Sequence, residues 1–224
     1  MISRKYKCFF VHIPKTAGTS IEWVLDGQCT PEDNGHRYLI ETYPEMRSKK
    51  VPCVEIQDKM DLALREGKRA QDMHLSALQY EKLYPEEFAE FFKFSFVRNP
   101  WDRVVSAFHA HMQGNHKTCD IETFEDYVAN LRTCLPESTR WPMKSYVCDR
   151  EGSIIVDFIG QYERLETDWK EVAKDIGLEV SLPLLNTTEH SPYWSYYTRK
   201  TRQIVEDFYS VDIEFFGYEF EGEV

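Results

Sequence analysis

Long apolar runs are missing from this chain. No window approaches the roughly 20 residues a helix needs to cross a bilayer, which argues against a membrane partner. A secretory leader is missing too: Met1 to Val11 is basic, but its apolar run ends within a few residues and no small-residue cleavage site follows. The segment reads instead as the start of a buried strand. Positive charge is in deficit, with 27 Lys and Arg against 38 Asp and Glu and a net charge of -11. That balance argues against a nucleic-acid partner, which needs a basic footprint, but leaves room for a local pocket that binds a small anion. The six cysteines (Cys8, Cys29, Cys53, Cys119, Cys134, Cys148) include no C-x-x-C pair. Their wide spacing lacks both a zinc signature and the density of a disulfide-stapled scaffold. Most are expected as free thiols packed as small apolar groups. With the missing leader, this places the protein in the cytoplasm; the alternative, a lumenal catalytic fragment, would carry some paired cysteines.

What is present suits one domain over residues 1–224. Apolar residues make up 42% and aromatics 14%, with only 10 Gly and 10 Pro, enough to offset the entropy of ordering the chain. Residues 7–13 form an apolar, β-rich run, followed by a helical pattern over 19–25. Residues 27–50 read as a long loop, 53–56 as a short strand, and the stretch through Met60, Leu62 and Leu64 as a helix. A second buried strand is expected over 91–97, then a helix opened by Asn99 as cap and Pro100 at its first position. Its stripe is Trp101, Val104, Val105, Phe108 and Met112. A helix from Thr123 to Leu131, a strand over 154–159, and helices over 164–176 and 198–216 complete the pattern. Strands alternating with helices argue for an α/β layer fold with a largely parallel sheet.

Two elements carry anion-binding chemistry. In Phe9-Phe10-Val11-His12-Ile13-Pro14-Lys15-Thr16-Ala17-Gly18-Thr19-Ser20, a strand runs through a tight turn into a helix. Unpaired N–H groups and the helix dipole favour an anion there; Lys15 adds a charge, and Thr16, Thr19 and Ser20 add hydroxyls. The order of Lys and Gly differs from the nucleotide-triphosphatase loop G-x-x-x-x-G-K-[ST], and no strand-end aspartate for magnesium is evident. In Phe96-Val97-Arg98-Asn99-Pro100-Trp101-Asp102-Arg103-Val104-Val105-Ser106, Arg98 ends a strand and Ser106 lies two turns along the helix, off the apolar stripe. Arg98 offers a planar fork for phosphate, or else a structural partner for Asp102.

Together the two segments resemble the paired signatures of sulfotransferases that use 3′-phosphoadenosine-5′-phosphosulfate (PAPS), in particular the carbohydrate 2-O- and 4-O-sulfotransferase branch and its bacterial relatives. The likeness extends to Ile159-Gly160-Gln161-Tyr162-Glu163-Arg164-Leu165, to Asn186 and to Asp212-Ile213-Glu214-Phe215-Phe216-Gly217-Tyr218. The resemblance implies a P-loop-like three-layer sandwich. Lys15, Thr16, Ala17, Gly18, Thr19 and Ser20 would hold the 5′-phosphosulfate, Arg98 and Ser106 the 3′-phosphate, with Asn186 approaching the donor. By the same likeness Lys15 stabilises the leaving phosphate, and the acceptor is a hydroxyl, most readily of a carbohydrate. The acidic balance suits a neutral glycan better than a polyanionic one.

For the base that removes the acceptor proton, a neutral imidazole suits, and His74 sits in an H-x-S-A segment like that of related enzymes. Ser76 is placed to cap the next helix, which leaves His74 on a loop. Glu22 and Glu55 are alternatives. His109, His111, His116 and Cys119 invite a metal reading, but i and i+2 residues of a helix do not share a face, and no metal is expected. Trp141, Tyr146, Tyr193, Trp194, Tyr196 and Tyr197 suit either ring stacking or core. Arg199, Lys200 and Arg202 suit either phosphate contact or a solvated face. Should the Asn186 segment approach the donor, its sequon would be buried. Rival functions are a small-molecule kinase and a nucleotide-binding module without turnover.

Overall fold

The computed structural model describes residues 1–26, 74–114, 118–183 and 191–222. The expected loop 27–50, strand 53–56 and the helix through Met60, and with them Cys29, Cys53, Glu55, His116 and Asn186, lie outside these residues.

The fold is mixed α/β, a mainly parallel central sheet flanked by helices. Among the described residues the sheet has four strands in the order β1-β2-β3-β4: Ile2–Ser3, Cys8–Val11, Phe92–Val97 and Phe158–Gln161. β1 runs antiparallel to β2; β2, β3 and β4 are mutually parallel, with Phe10 opposite Phe94 and Phe94 opposite Phe158. Every residue of β2 is buried, as a strand covered on both faces requires. Alternation sends its side chains to two cores. Cys8 and Phe10 meet helices α1 (Gly18–Asp26) and α9 (Leu165–Asp175) through Ile21, Leu25, Trp169 and Val172. Phe9 and Val11 meet α2 (Ala77–Leu83) and α3 (Pro85–Glu90) through Tyr80 and Phe88. The sheet is therefore the middle of three layers.

A third core lies to one side. Helix α4 (Pro100–Met112) supplies Trp101, Val104, Val105 and Phe108. They pack on α5 (Phe124–Ala129), α6 (Leu131–Cys134), α10 (Arg199–Phe208) and the turn Tyr193–Tyr196. Two further short helices, α7 (Glu137–Arg140) and α8 (Lys144–Val147), lead back to the sheet, and α11 (Ser210–Phe216) ends the helical tail.

Three expectations need correction. The strand expected over 154–159 pairs only from Phe158; Ile154 makes an isolated bridge to Cys148. The entry is set by Asp157, which exchanges two 2.7 Å hydrogen bonds with the backbone of Lys93, N–H to carbonyl one way and N–H to carboxylate the other. The helices expected over Thr123 to Leu131 and over 198–216 are each divided, at Asn130 and at Tyr209. The buried Tyr209 hydroxyl donates to the Thr139 carbonyl at 2.6 Å. Finally, Cys119 and Cys134 form a disulfide, their Cα atoms 5.4 Å apart, whereas Cys8 and Cys148 are free and buried. Burial pushes the Cys8 thiol up to about 12, the behaviour of an inert core sulfur. Among the described residues no helix is long and apolar enough to cross a membrane.

Candidate active site

The two segments expected to bind anions leave the carboxyl ends of neighbouring parallel strands, β2 and β3, where open α/β sheets receive ligands. After Val11 the chain must reverse into α1 within a few residues. It does so with Lys15 and Ala17 both left-handed at φ 72°, a conformation that costs a non-glycine residue about 1–2 kcal/mol. Contacts from outside hold it there. The Thr16 hydroxyl donates to the Ile13 carbonyl at 2.8 Å. Arg103 Nε donates to the Pro14 carbonyl at 3.1 Å, and Arg98 Nη1 to the Lys15 carbonyl at 3.2 Å.

Those two arginine contacts orient the amides. In a trans peptide the carbonyl and the following N–H point in opposite directions, so the N–H groups of Lys15 and Thr16 face away from the guanidiniums. Helix α1 begins with the Ser20 and Ile21 N–H groups donating to the Ala17 carbonyl at 3.1 and 3.3 Å. The N–H groups of residues 15 to 19 make no backbone hydrogen bond among the described residues. Backbone N–H groups left open at a helix start are of the kind that can receive an anion. Thr16 is fully buried, and its hydroxyl hydrogen is committed to the Ile13 carbonyl.

Lys15 is half-buried, and burial, joined by the positive charge of Arg98, lowers its pKa to about 8. Among the described residues no carboxylate pairs with it. Arg98, 6% exposed, donates from Nε to Asp102 at 2.8 Å and lies 3.8 Å from the centre of the Tyr162 ring. The structural partnership with Asp102 thus holds, and the same arginine reaches the first loop. Asn99 caps α4, its Oδ1 accepting from Trp101 and Asp102 at 3.0 and 3.4 Å, while its own N–H donates to Glu163 at 2.6 Å. Ser106 sits on that helix but is buried at 8% exposure, not on a solvated face.

His74 comes to the same loop. Its Nδ1 lies 3.3 Å from the His12 carbonyl, and its ring meets the His12 ring edge-to-face at 4.5 Å. The Ser76 cap is present: its Oγ accepts from Gln79 at 3.3 Å and the Gln79 side chain accepts from the Ser76 N–H at 2.7 Å. His74 therefore stands just ahead of α2, as expected.

The family profile of sulfotransferases matches residues 1–219. The chain belongs to the sulfotransferase family. An uncharacterized protein of Archaeoglobus fulgidus is 35% identical over 105 residues, covering 45% of this chain and 80% of that protein. The crystal structure of a sulfotransferase from Alicyclobacillus acidocaldarius shares the fold at a TM-score of 0.50 and 14% identity, over 93% of this chain and 92% of the other. The protein is accordingly a sulfotransferase enzyme.

Residues of this sulfotransferase that sequence reasoning passed over include His12, Arg103 and Tyr162. Arg103 is fully buried, contacts the Trp141 carbonyl at 3.4 Å beside that of Pro14, and lies 5.4 Å from the Tyr209 ring centre. Its charge offsets that of Asp212, a buried carboxylate accepting from the Met143 and Lys144 N–H groups at 2.8 and 2.9 Å. Burial raises the Asp212 pKa, against the pull of Arg103. His109 meets the Tyr196 hydroxyl at 2.9 Å and His111 the Ile121 carbonyl at 3.1 Å, in different directions, and no metal-binding group of three ligands occurs among the described residues. Tyr146, Tyr193 and Tyr197 are core, while Trp194 is 40% exposed. Arg202 pairs loosely with Glu206 at 3.9 Å on an exposed face.

Proposed function

We propose that this sulfotransferase draws on PAPS, the donor its family implies, and sulfates a hydroxyl of a carbohydrate, as its likeness to the 2-O- and 4-O- branch suggests. The bound donor supplies the sulfuryl group and the leaving phosphate. The residues present fit it: the amides from Lys15 to Thr19 and the Ser20 region would hold the phosphosulfate end, and Arg98 with Ser106 the 3′-phosphate. Asn186 belongs to the same proposal from outside the described residues. Lys15 places positive charge where the leaving phosphate gains negative charge. With Nδ1–H donating to the His12 carbonyl, His74 carries its basic lone pair on Nε2, the atom that takes the acceptor proton. The net charge of -11 favours a neutral glycan as acceptor. The cytoplasmic placement stands against the Cys119–Cys134 disulfide, a bond that persists in oxidising compartments.

The observation that carries the reading is Lys15, a lysine held near a second cation and among outward-facing amides, its pKa lowered by burial and by Arg98. Calorimetric titration with 3′,5′-bisphosphoadenosine tests it. The expected result is magnesium-independent binding that weakens at least about tenfold, roughly 1.4 kcal/mol, in Lys15→Ala and in Arg98→Ala. Absence of binding, or preference for ATP with magnesium, contradicts it.

A further inference from the structure

The loop that carries Lys15 also carries a histidine with a carboxylate behind it. His12 ends the run of β2, and its ring fills the space beside Gly18, where a Cβ would stand 1.8 Å from His12 Nε2. One turn further along the same face of α1, Glu22 Oε1 accepts from His12 Nδ1 at 2.9 Å. The two side chains are 15% and 17% exposed. Burial alone would push the Glu22 carboxyl up, but the charge and hydrogen bond of His12, with the Met1 amino group, bring it below its ordinary value, so it stays ionised at neutral pH.

This pair bears on His74 in two ways. Fixing the His12 ring against Glu22 fixes the surface on which the His74 ring rests edge-to-face at 4.5 Å. Fixing His12 at the strand end also fixes the carbonyl that receives His74 Nδ1–H at 3.3 Å. From the other side His74 is held by Leu75, fully buried in the core under β2, and by the capping box of α2. Among the described residues, titratable groups near the trio include the Met1 amino group, bonded to the Phe10 carbonyl at 2.7 Å, and the Tyr80 hydroxyl of α2, which bonds that amino group.

We propose that His12 and Glu22 are positioning residues of this enzyme, holding His74 with its proton on Nδ1 and its lone pair on Nε2. The inference rests on the reading of His74 as the base. A buried carboxylate that orients a histidine through a hydrogen bond is the general device by which one imidazole tautomer is selected; here the carboxylate acts at one remove, through the ring and carbonyl of His12.

The test is two-bond proton–nitrogen correlation NMR of the histidines in the full chain at neutral pH, alongside turnover. In the wild type His74 is expected as the Nδ1–H tautomer. Glu22→Ala is expected to give a mixture of tautomers and a kcat lower by about tenfold, with 3′,5′-bisphosphoadenosine affinity changed by less than about twofold. Glu22→Gln keeps an oxygen to accept from His12 Nδ1, and is expected to restore the tautomer and most of the rate. An Nε2–H tautomer in the wild type overturns the proposal without any variant having to fold. So does an unchanged tautomer and rate in Glu22→Ala. Turnover retained by His74→Ala overturns the base reading instead, and the two failures are told apart because the spectra need no turnover.

Discussion

The loop after β2 holds two left-handed non-glycine residues, Lys15 and Ala17, and its carbonyls are gripped by guanidiniums 83 and 89 residues away in the chain. The loop after β3 takes its shape first from its own residues: Asn99 caps α4, Pro100 occupies its first turn and Asp102 pairs with Arg98 four residues back, while Asn99 also donates to Glu163 and to the Glu219 carbonyl. One loop is shaped by tertiary contacts and the other mainly by local rules, yet both deliver positive charge to the same end of the sheet. The difference teaches where damage should spread. A strained loop that presents amides depends on distant clamps, whereas a capped helix start tolerates the loss of any one local bond.

The comparison breaks most sharply at Arg103. Arg103→Met removes the donor to the Pro14 and Trp141 carbonyls and a positive charge that offsets the buried Asp212 carboxylate. A loss of about 3–5 kcal/mol in urea unfolding is expected from a buried and a part-buried carbonyl left without a charged donor, together with loss of bisphosphoadenosine binding. Gly18→Ala should come next. Its Cβ would strike the His12 ring, and displacing that ring is expected to destabilise the fold by about 1–3 kcal/mol. The double variant with His12→Ala should recover part of that loss, read as a coupling in a double-mutant cycle. The smallest effect is expected in the loop after β3: Asn99→Ala removes the cap and the Nδ2 bonds to Tyr193 and Glu219 and should cost about 1–2 kcal/mol. Equal losses in Arg103→Met and Asn99→Ala would erase the distinction between the two loops.

The same division explains what was legible in the sequence. β2, the turn to Gly18, the Asn99-Pro100 helix start and the Ser76 cap are local patterns, and each appears where those patterns put it. The strand over 154–159 was misplaced because its register is set by Lys93, which lies 64 residues from Asp157. Arg103 was passed over since a charged residue on a helix reads as solvated until its partners, the Pro14 and Trp141 carbonyls, are known. The Cys119–Cys134 bond spans 15 residues with no spacing motif to announce it. Of the candidate site, the Lys15 loop, Arg98 and His74 were named from the chain alone. The His12–Glu22 pair was not, because its logic lies in the missing side chain of Gly18, which opens the slot that the ring fills.

The central claim is that Lys15 supplies the charge in a built anion cradle. The most direct measurement is the affinity for 3′,5′-bisphosphoadenosine as pH is raised from about 7 to about 10. Burial and Arg98 hold the free Lys15 at about 8, and an anion beside it raises that value in the complex. Affinity should therefore be full below about pH 8 and fall as pH rises through it. Lys15→Arg, which stays charged, should show a flat profile over the same range. A flat wild-type profile, or an equal fall in Lys15→Arg, would contradict the account.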